Sequence, residues 1–196
     1  MKELLVATSN RGKFMEIKEL LRDTVATLYS LEDFPEIPWV EEDGASFSEN
    51  AVKKAQNAAQ ATGKPVNADD SGLMVDALEG RPGVYSARFA GEGSSDSENN
   101  AKLLRELADI PDVKGTAAFH CVAALCFPDG SCRTFSGELK GIILKEPKGN
   151  GGFGYDPLFL VPEYGLTLAE LPLKVKNVIS HRGKALVRLK EHLRSL

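Results

Sequence analysis

No stretch of this sequence approaches the roughly 20 consecutive apolar residues of a membrane-spanning helix. The apolar run after Met1, residues 4–7, is too short for the core of a signal peptide. A cytoplasmic protein without a membrane partner is the expectation. Cysteine is scarce: Cys121, Cys126 and Cys132 are odd in number, lack C-x-x-C spacing and fall in strand-like sequence. They read as buried, reduced thiols, with neither a disulfide framework nor a zinc site. Excess positive charge is missing too. A net charge of -4 argues against nucleic acid or an anionic membrane as the main partner, so a bound anion must be held by local cations. Internal repeats, low-complexity tracts and long linkers are absent. The 196 residues, 42% hydrophobic and 27% charged, therefore read as a single domain, 1–196, with enough chain to bury a substantial core.

The stretch richest in chemistry is residues 67–88, N-A-D-D-S-G-L-M-V-D-A-L-E-G-R-P-G-V-Y-S-A-R. The adjacent carboxylates Asp69 and Asp70 repel each other and lose solvation if partly buried, so something must offset that cost. A solvated turn is one reading, because Asp, Ser and Gly favour turns. A hard-cation site, or a general base beside a metal ligand, are the others. The apolar Leu73, Met74, Val75, Ala77 and Leu78 put the pair at the mouth of a core, which favours a site.

Residues 4–7 read as a strand covered on both faces, followed by the polar loop T-S-N-R-G-K at 8–13 and by Phe14, Ile17, Leu20 and Leu21 at helical spacing. Strand, loop and helix in that order offer amides, a helix dipole and Lys13 to a phosphate; a helix capped by Asn10 with a solvated lysine accounts for the same residues. The G-x-x-x-x-G-K-[ST] pattern of a P-loop is absent. A second strand and an irregular connection fit residues 24–40. Glu41-Glu42-Asp43-Gly44 reads as a solvated turn unless it faces Asp69 and Asp70. Ser46 and Glu49 form a capping box that starts an alanine-rich helix ending at Gly63, with Lys53 and Lys54 early in it.

Further along, Arg81-Pro82-Gly83 marks a turn, 84–89 a short strand or extended loop, and 96–107 a structural helix that closes before Pro111. Residues 116–127 and 132–139 form an antiparallel pair about the turn at 128–131, with His120 as a core or ladder histidine. Residues 141–144 and 158–161 read as short strands, and 169–177 as a polar segment holding Lys174 and Lys176. The glycine-rich loop P-K-G-N-G-G-F-G-Y-D-P at 147–157 lets backbone approach a ligand, with Phe153 or Tyr155 to stack on a planar ring and Asp156 to hydrogen-bond it. Ser180-His181-Arg182-Gly183 opens a final helix. Cations at a helix N-terminus oppose the dipole, and this conflict points to an anion or a base carbonyl bound there. Acids (Glu42, Asp69, Asp70), cations (Lys13, Lys54, Lys176, Arg182) and rings (Phe153, Tyr155) together describe a nucleoside triphosphate site.

The segments T-S-N-R-G-K at 8–13, A-D-D-S-G-L at 68–73, P-G-V-Y-S-A-R at 82–88, G-G-F-G-Y-D-P at 151–157 and K-N-V-I-S-H-R at 176–182 resemble the inosine triphosphate pyrophosphatase (Ham1-like) family, in its order and over essentially the whole chain. The resemblance implies an α/β fold, an elongated mixed β-sheet flanked by helices, in two lobes with a central nucleotide cleft. It implies magnesium-dependent hydrolysis of XTP, ITP and dITP to the monophosphate and pyrophosphate by a homodimer. Carried over by position, Thr8, Ser9, Asn10, Arg11, Gly12 and Lys13 grip the phosphates, with Lys54 and Ser71 in support. Glu42 and Asp70 serve the metal, Asp69 shares it, and Asp70 accepts the proton of the attacking water. Phe153, Gly154, Tyr155 and Asp156 cover and orient the base, while Lys176, His181 and Arg182 read its six-position oxygen.

The chain departs from the family pattern at Pro172-Leu173-Lys174-Val175, where Lys174 puts a positive charge in place of the usual acids. Glu41 remains an alternative to Glu42. Two other functions stay open: a related Maf-like enzyme acting on other nucleotides, against which the S-H-R helix and the G-F-G-Y-D loop argue, and a sensor that holds a nucleotide without hydrolysing it.

Overall fold

The computed structural model describes residues 1–110 and 115–196. Pro111, expected to stop a helix, lies outside the described residues. Among the described residues the strands join in one mixed sheet of seven, in the order β2-β1-β3-β4-β5-β6-β7. By contacts the chain divides into two compact units: Met1–Asp70, Cys121–Gly137 and His181–Leu196 form the first, and Ser71–His120 and Glu138–Ser180 the second.

In the first unit, β1 (Glu3–Val6) is buried on both faces, as its unbroken apolar run anticipates. It pairs in parallel with β2 (Thr27–Ser30) on one side and with β3 (Val66–Val75) on the other. Parallel neighbours need crossover connections, and helices α1 (Arg11–Leu21) and α2 (Phe47–Thr62) provide them. Strand alternation then sorts the core into two layers. Leu4 and Val6 of β1 pack with Ile17 and Leu21 of α1 and with Ala185, Leu186, Leu189 and Leu193 of α5 (His181–Arg194). Leu5 and Ala7 pack with Ala51, Ala55, Ala58 and Ala59 of α2, whose small side chains let the helix lie close to the sheet. Asn10 caps α1 by accepting from the amide of Lys13 at 3.0 Å, and Ser46 caps α2 in the same way from Glu49 at 3.2 Å.

The second unit holds the far half of β3, helix α3 (Asp96–Ala108), the near half of β4 (Thr116–Cys126), the far half of β5 (Cys132–Ile143), β6 (Phe159–Val161), β7 (Leu166–Thr167) and α4 (Leu173–Ile179). Its core gathers Leu73, Val75, Leu103, Leu107, Phe119, Leu158 and Phe159. Antiparallel pairing carries the sheet from β5 to β6 and on to β7.

Several local expectations change. The Asp-Asp-Ser-Gly stretch is not a turn, because β3 runs straight through it. Residues 84–89 are no strand: a 3-10 helix occupies Gly83–Arg88, held by the Ser86 hydroxyl, which donates to Gly83 O at 2.6 Å. Gly141 does not open a separate strand, since β5 continues to Ile143. The polar segment at 169–177 winds into α4, which starts directly after Pro172. Cys126 and Cys132 are not reduced thiols but a disulfide, with Cα atoms 4.2 Å apart, because the hairpin at 128–131 sets the end of β4 opposite the start of β5. Cys121 is the buried free cysteine. No helix among the described residues is long and apolar enough to cross a membrane.

Gly137 on β5 decides how closely α5 can approach. A Cβ there would collide with the carbonyl oxygen of His181 and lie 2.7 Å from the amide nitrogen of Ala185. Gly137→Ala should therefore lower stability by about 1–3 kcal/mol in urea denaturation, the usual range for overpacking a buried contact; an unchanged midpoint would refute this packing argument.

Candidate active site

Alternation along β3 separates the two carboxylates that adjoin in sequence. Val66 and Ala68 belong to the layer shared with α2, so Asp69 points into the opposite layer and Asp70 returns toward α2. Each then meets its own set of partners, which answers the repulsion that an Asp-Asp pair poses.

Asp69 is a buried counter-ion. Its Oδ2 lies 3.3 Å from Lys13 Nζ and accepts from Arg182 Nε at 3.1 Å, while Arg182 Nη1 donates to Glu16 Oε2 at 2.6 Å. Arg182 is 1% exposed and Glu16 is 4% exposed. Two acids face two cations, so the cluster is formally balanced. Burial alone would raise the Asp69 pKa, but Lys13, Arg182 and Lys54 hold the carboxyl well below the usual carboxylate range. Burial likewise works against the Arg182 charge, and Asp69 with Glu16 overcomes it, raising the pKa further. Cys121 Sγ lies 3.8 Å from Asp69 Oδ2, and burial together with this carboxylate pushes the thiol up, which leaves it protonated and unreactive.

Asp70 sits in a different electrostatic setting. Asn50 Nδ2 of α2 donates to its Oδ2 at 2.9 Å, and Lys54 Nζ stands 4.0 Å from its Oδ1. The same ammonium donates to Glu42 Oε1 at 2.7 Å and to the carbonyl of Asp69 at 2.9 Å. Lys54 thus ties Glu42 to the Asp70 strand, which settles that the acidic turn at 41–43 does reach the Asp-Asp segment. Burial raises the Asp70 pKa; Lys54, Lys13 and the Asn50 amide oppose it, and Glu42 adds to it. Two carboxylates, Asp70 and Glu42, gather here around Lys54. That donor set suits a hard cation completed by phosphate and water oxygens, as magnesium prefers. No cluster of three or more His, Cys, Asp or Glu side chains able to hold a metal occurs among the described residues.

The phosphate-type loop is exposed at Ser9, Asn10 and Arg11, with Thr8, Gly12 and Lys13 half-buried. Asn10 N donates to Thr8 Oγ1 at 3.3 Å. The first amides of a helix have no intrahelical acceptor, so the start of α1 presents donors. His181 and Arg182 open α5 as expected, but both are buried, and the Arg182 guanidinium is committed to carboxylates of its own unit.

The aromatic loop belongs to the second unit. Asp156 Oδ2 accepts from the amide of Phe153 at 3.0 Å and from Lys176 Nζ at 2.7 Å, with both side chains buried. The Lys176 ammonium also lies 4.7 Å from the centre of the Phe153 ring. Tyr155 turns inward and donates its hydroxyl to Ser86 O at 2.8 Å. Ser71, half-buried on β3, follows Asp70 directly.

Sequence reading missed Glu16 and Asn50. Glu16 precedes Ile17 on the helical face that packs inward, and its partner Arg182 is 166 residues away, so no local signal marks it. Asn50 had one: its Oδ1 accepts from the amide of Gly44 at 2.8 Å, and a Cβ at Gly44 would lie 2.6 Å from that oxygen. The glycine after three acids is there to admit the asparagine.

The chain matches the family model described as the Ham1 family over residues 4–192. It is 62% identical over 193 residues to a dITP/XTP pyrophosphatase of Geobacter sulfurreducens, covering 98% of this chain and 97% of that one. It is 54% identical over 194 residues to a dITP/XTP pyrophosphatase of Desulforamulus reducens, covering 99% and 96%. Among solved structures, a HAM1 protein from Coxiella burnetii superposes with a TM-score of 0.91 at 43% identity over 100% of both chains. The Ham1 protein of Staphylococcus aureus gives 0.87 at 41% identity over 99% of each.

The buried pairs carry a stability consequence. Arg182→Met keeps the volume but removes the cation that Glu16 and Asp69 share, and should cost about 3–5 kcal/mol in urea denaturation, as breaking a buried ion pair does. A loss within about 0.5 kcal/mol, the range of an ordinary surface substitution, would mean that the guanidinium is not structural.

Proposed function

This chain belongs to the Ham1 family, and on that premise we propose that it hydrolyses the non-canonical purine nucleotides XTP, ITP and dITP to the monophosphate and pyrophosphate, clearing them from the nucleotide pool. The observation that carries the proposal is the split at Asp69 and Asp70. One carboxylate is neutralised in a balanced cluster, and its neighbour stays negative beside Glu42 and Lys54.

The anhydride between the α and β phosphates is broken by water, and the departing pyrophosphate gathers charge. Asp70, made more basic by burial, accepts the proton of the attacking water. Asn50 fixes one of its oxygens and so aims the other. Glu42 and Asp70 would hold a magnesium ion, which would supply charge neutralisation on the phosphates. Lys54, kept in place by Glu42 and the Asp69 carbonyl, and Lys13, kept in place by Asp69, bring cations to the phosphate chain. Thr8, Ser9, Asn10, Arg11 and Gly12 at the start of α1 provide donors to it, and Ser71 supports it. Asp69 orders Lys13 and Arg182 instead of sharing the metal.

In the second unit, Phe153 stacks on the purine, backed by Gly154, Tyr155 and Asp156, and Lys176 contributes the charge that favours a six-position oxygen. His181 joins that recognition, and Arg182 acts by positioning, since Asp69 and Glu16 hold two of its nitrogens. A 6-amino purine would leave such donors unpaired, the strongest form of discrimination open to a polar pocket. The same reading makes the protein a magnesium-dependent cytoplasmic homodimer, with the two units as lobes of one domain. A sensor that binds without turnover would have little use for the intact Asp70, Glu42 and Lys54 set.

Pyrophosphate release with magnesium should be rapid from ITP, XTP and dITP and at least about a hundredfold slower from ATP. Asp70→Asn should lower kcat by on the order of a thousandfold while calorimetry still detects nucleotide binding. Full turnover by Asp70→Asn would remove the proton-acceptor assignment, and preferential release from pyrimidine triphosphates would remove the substrate class.

A further inference from the structure

We propose that Asp96 and Asn100 of α3 are positioning residues that latch the loop carrying Phe153, by holding the peptide groups on both sides of the Gly154 α-carbon. The functional weight of this latch rests on the reading of Phe153 as the stacking platform for the purine; the latch itself is a matter of geometry.

Sequence alone reads α3 as structural, with Ala101, Leu104 and Leu107 on one face; in the structure Leu103 and Leu107 are in the core, Leu104 packs against it and Ala101 is exposed. Its first turn does something else. Asp96 and Asn100 are four residues apart and so lie on one face of the helix. Asp96 Oδ2 accepts from Gly154 N at 2.6 Å, and Asn100 Nδ2 donates to Gly154 O at 3.0 Å. The amide belongs to the Phe153–Gly154 peptide and the carbonyl to the Gly154–Tyr155 peptide. One turn of helix therefore grips two successive peptide groups with an acceptor and a donor matched to them.

Asp96 has no competing duty. The N-terminus of α3 is already capped by Ser95, whose hydroxyl accepts from Glu98 N at 3.3 Å while Glu98 Oε2 accepts from Ser95 N at 2.7 Å. Asp96 is exposed and would be well solvated without Gly154, so its turn toward the loop is a specific contact. The latch completes a set of restraints around the ring. The Phe153 amide is held by Asp156, Asp156 is held by Lys176, and Tyr155 is held by Ser86 O. A segment with glycines at 149, 151, 152 and 154 has much backbone freedom to lose, and freedom lost on binding is taken from affinity. Ordering the loop in the folded protein moves that loss out of the binding step.

Isosteric variants distinguish the latch from simple packing. In ligand-free, nitrogen-15-labelled protein, the Gly154 amide resonance should shift and lose hydrogen-exchange protection in Asp96→Ala but stay near its wild-type position in Asp96→Asn, which keeps an acceptor oxygen. Asn100→Asp removes the donor and sets an oxygen against Gly154 O without changing shape. Asp96→Ala and Asn100→Asp should each raise KM for ITP about tenfold with kcat within about twofold, the melting temperature staying unchanged in Asp96→Ala, while Asp96→Asn stays within about twofold of wild type in KM and kcat. A Gly154 amide indifferent to Asp96→Ala, or a wild-type KM in Asn100→Asp, overturns the proposal. A wild-type protein that releases no pyrophosphate from ITP would instead sink the functional reading, and the amide measurement would still decide the latch.

Discussion

Two carboxylates side by side on a strand must point to opposite faces, and most of the first unit is arranged around that constraint. Asp69 enters the layer of α1 and α5, where a charge can exist only if it is paired. Lys13 and Arg182 pair with it, and Glu16 balances the second cation. Asp70 enters the layer of α2, where Asn50 and Lys54 meet it. The cost of burying four charges on one side is offset by their mutual contacts. The other side brings Asp70, Glu42 and Lys54 together. One strand register thus gives identical side chains two different electrostatic settings.

The same logic explains why cations in this protein are so often held by something other than their presumed ligand. Lys54 is fixed by Glu42 and a main-chain carbonyl, and Lys176 by Asp156 beneath the Phe153 ring. A flexible lysine would lose rotamer freedom on meeting a phosphate or a base, and anchoring it beforehand removes that loss. A chain with net charge -4 can bind polyanions in this way, because the field that matters is local and its sources do not move.

Where local pattern and tertiary requirement agree, the sequence was legible. The apolar run of β1, the Asn10 and Ser46 caps, the alanine face of α2 and the hairpin turn at 128–131 all carry signals within a few residues, and all formed, except that the Glu49 carboxylate accepts from the amide of Ala45 and not from that of Ser46 as a capping box would. The hairpin also held an unread message: if the 128–131 turn is right, Cys126 and Cys132 must face each other, and their disulfide follows from the pairing and not from any cysteine motif. The 3-10 helix at Gly83–Arg88 escaped notice because it is held in part by a contact that a window of a few residues does not contain, the Leu73 amide donating to the Ser86 hydroxyl.

By itself the sequence determined the α/β class and the family, through motifs such as A-D-D-S-G and S-H-R. Tertiary structure alone decided which of those residues sit in buried ion pairs and which stand beside Glu42 and Lys54. Asp69 and Asp70 are indistinguishable as letters, and only the register of β3 between two helical layers makes one a neutralised counter-ion and the other a basic carboxylate. Arg182 reads from the sequence as a contact to an anion or a base carbonyl at a helix start, and Asp69 with Glu16, the latter 166 residues away, makes it a buried strut. Charge and hydrogen bonding act over a few ångströms in space, and sequence separation carries no record of that distance.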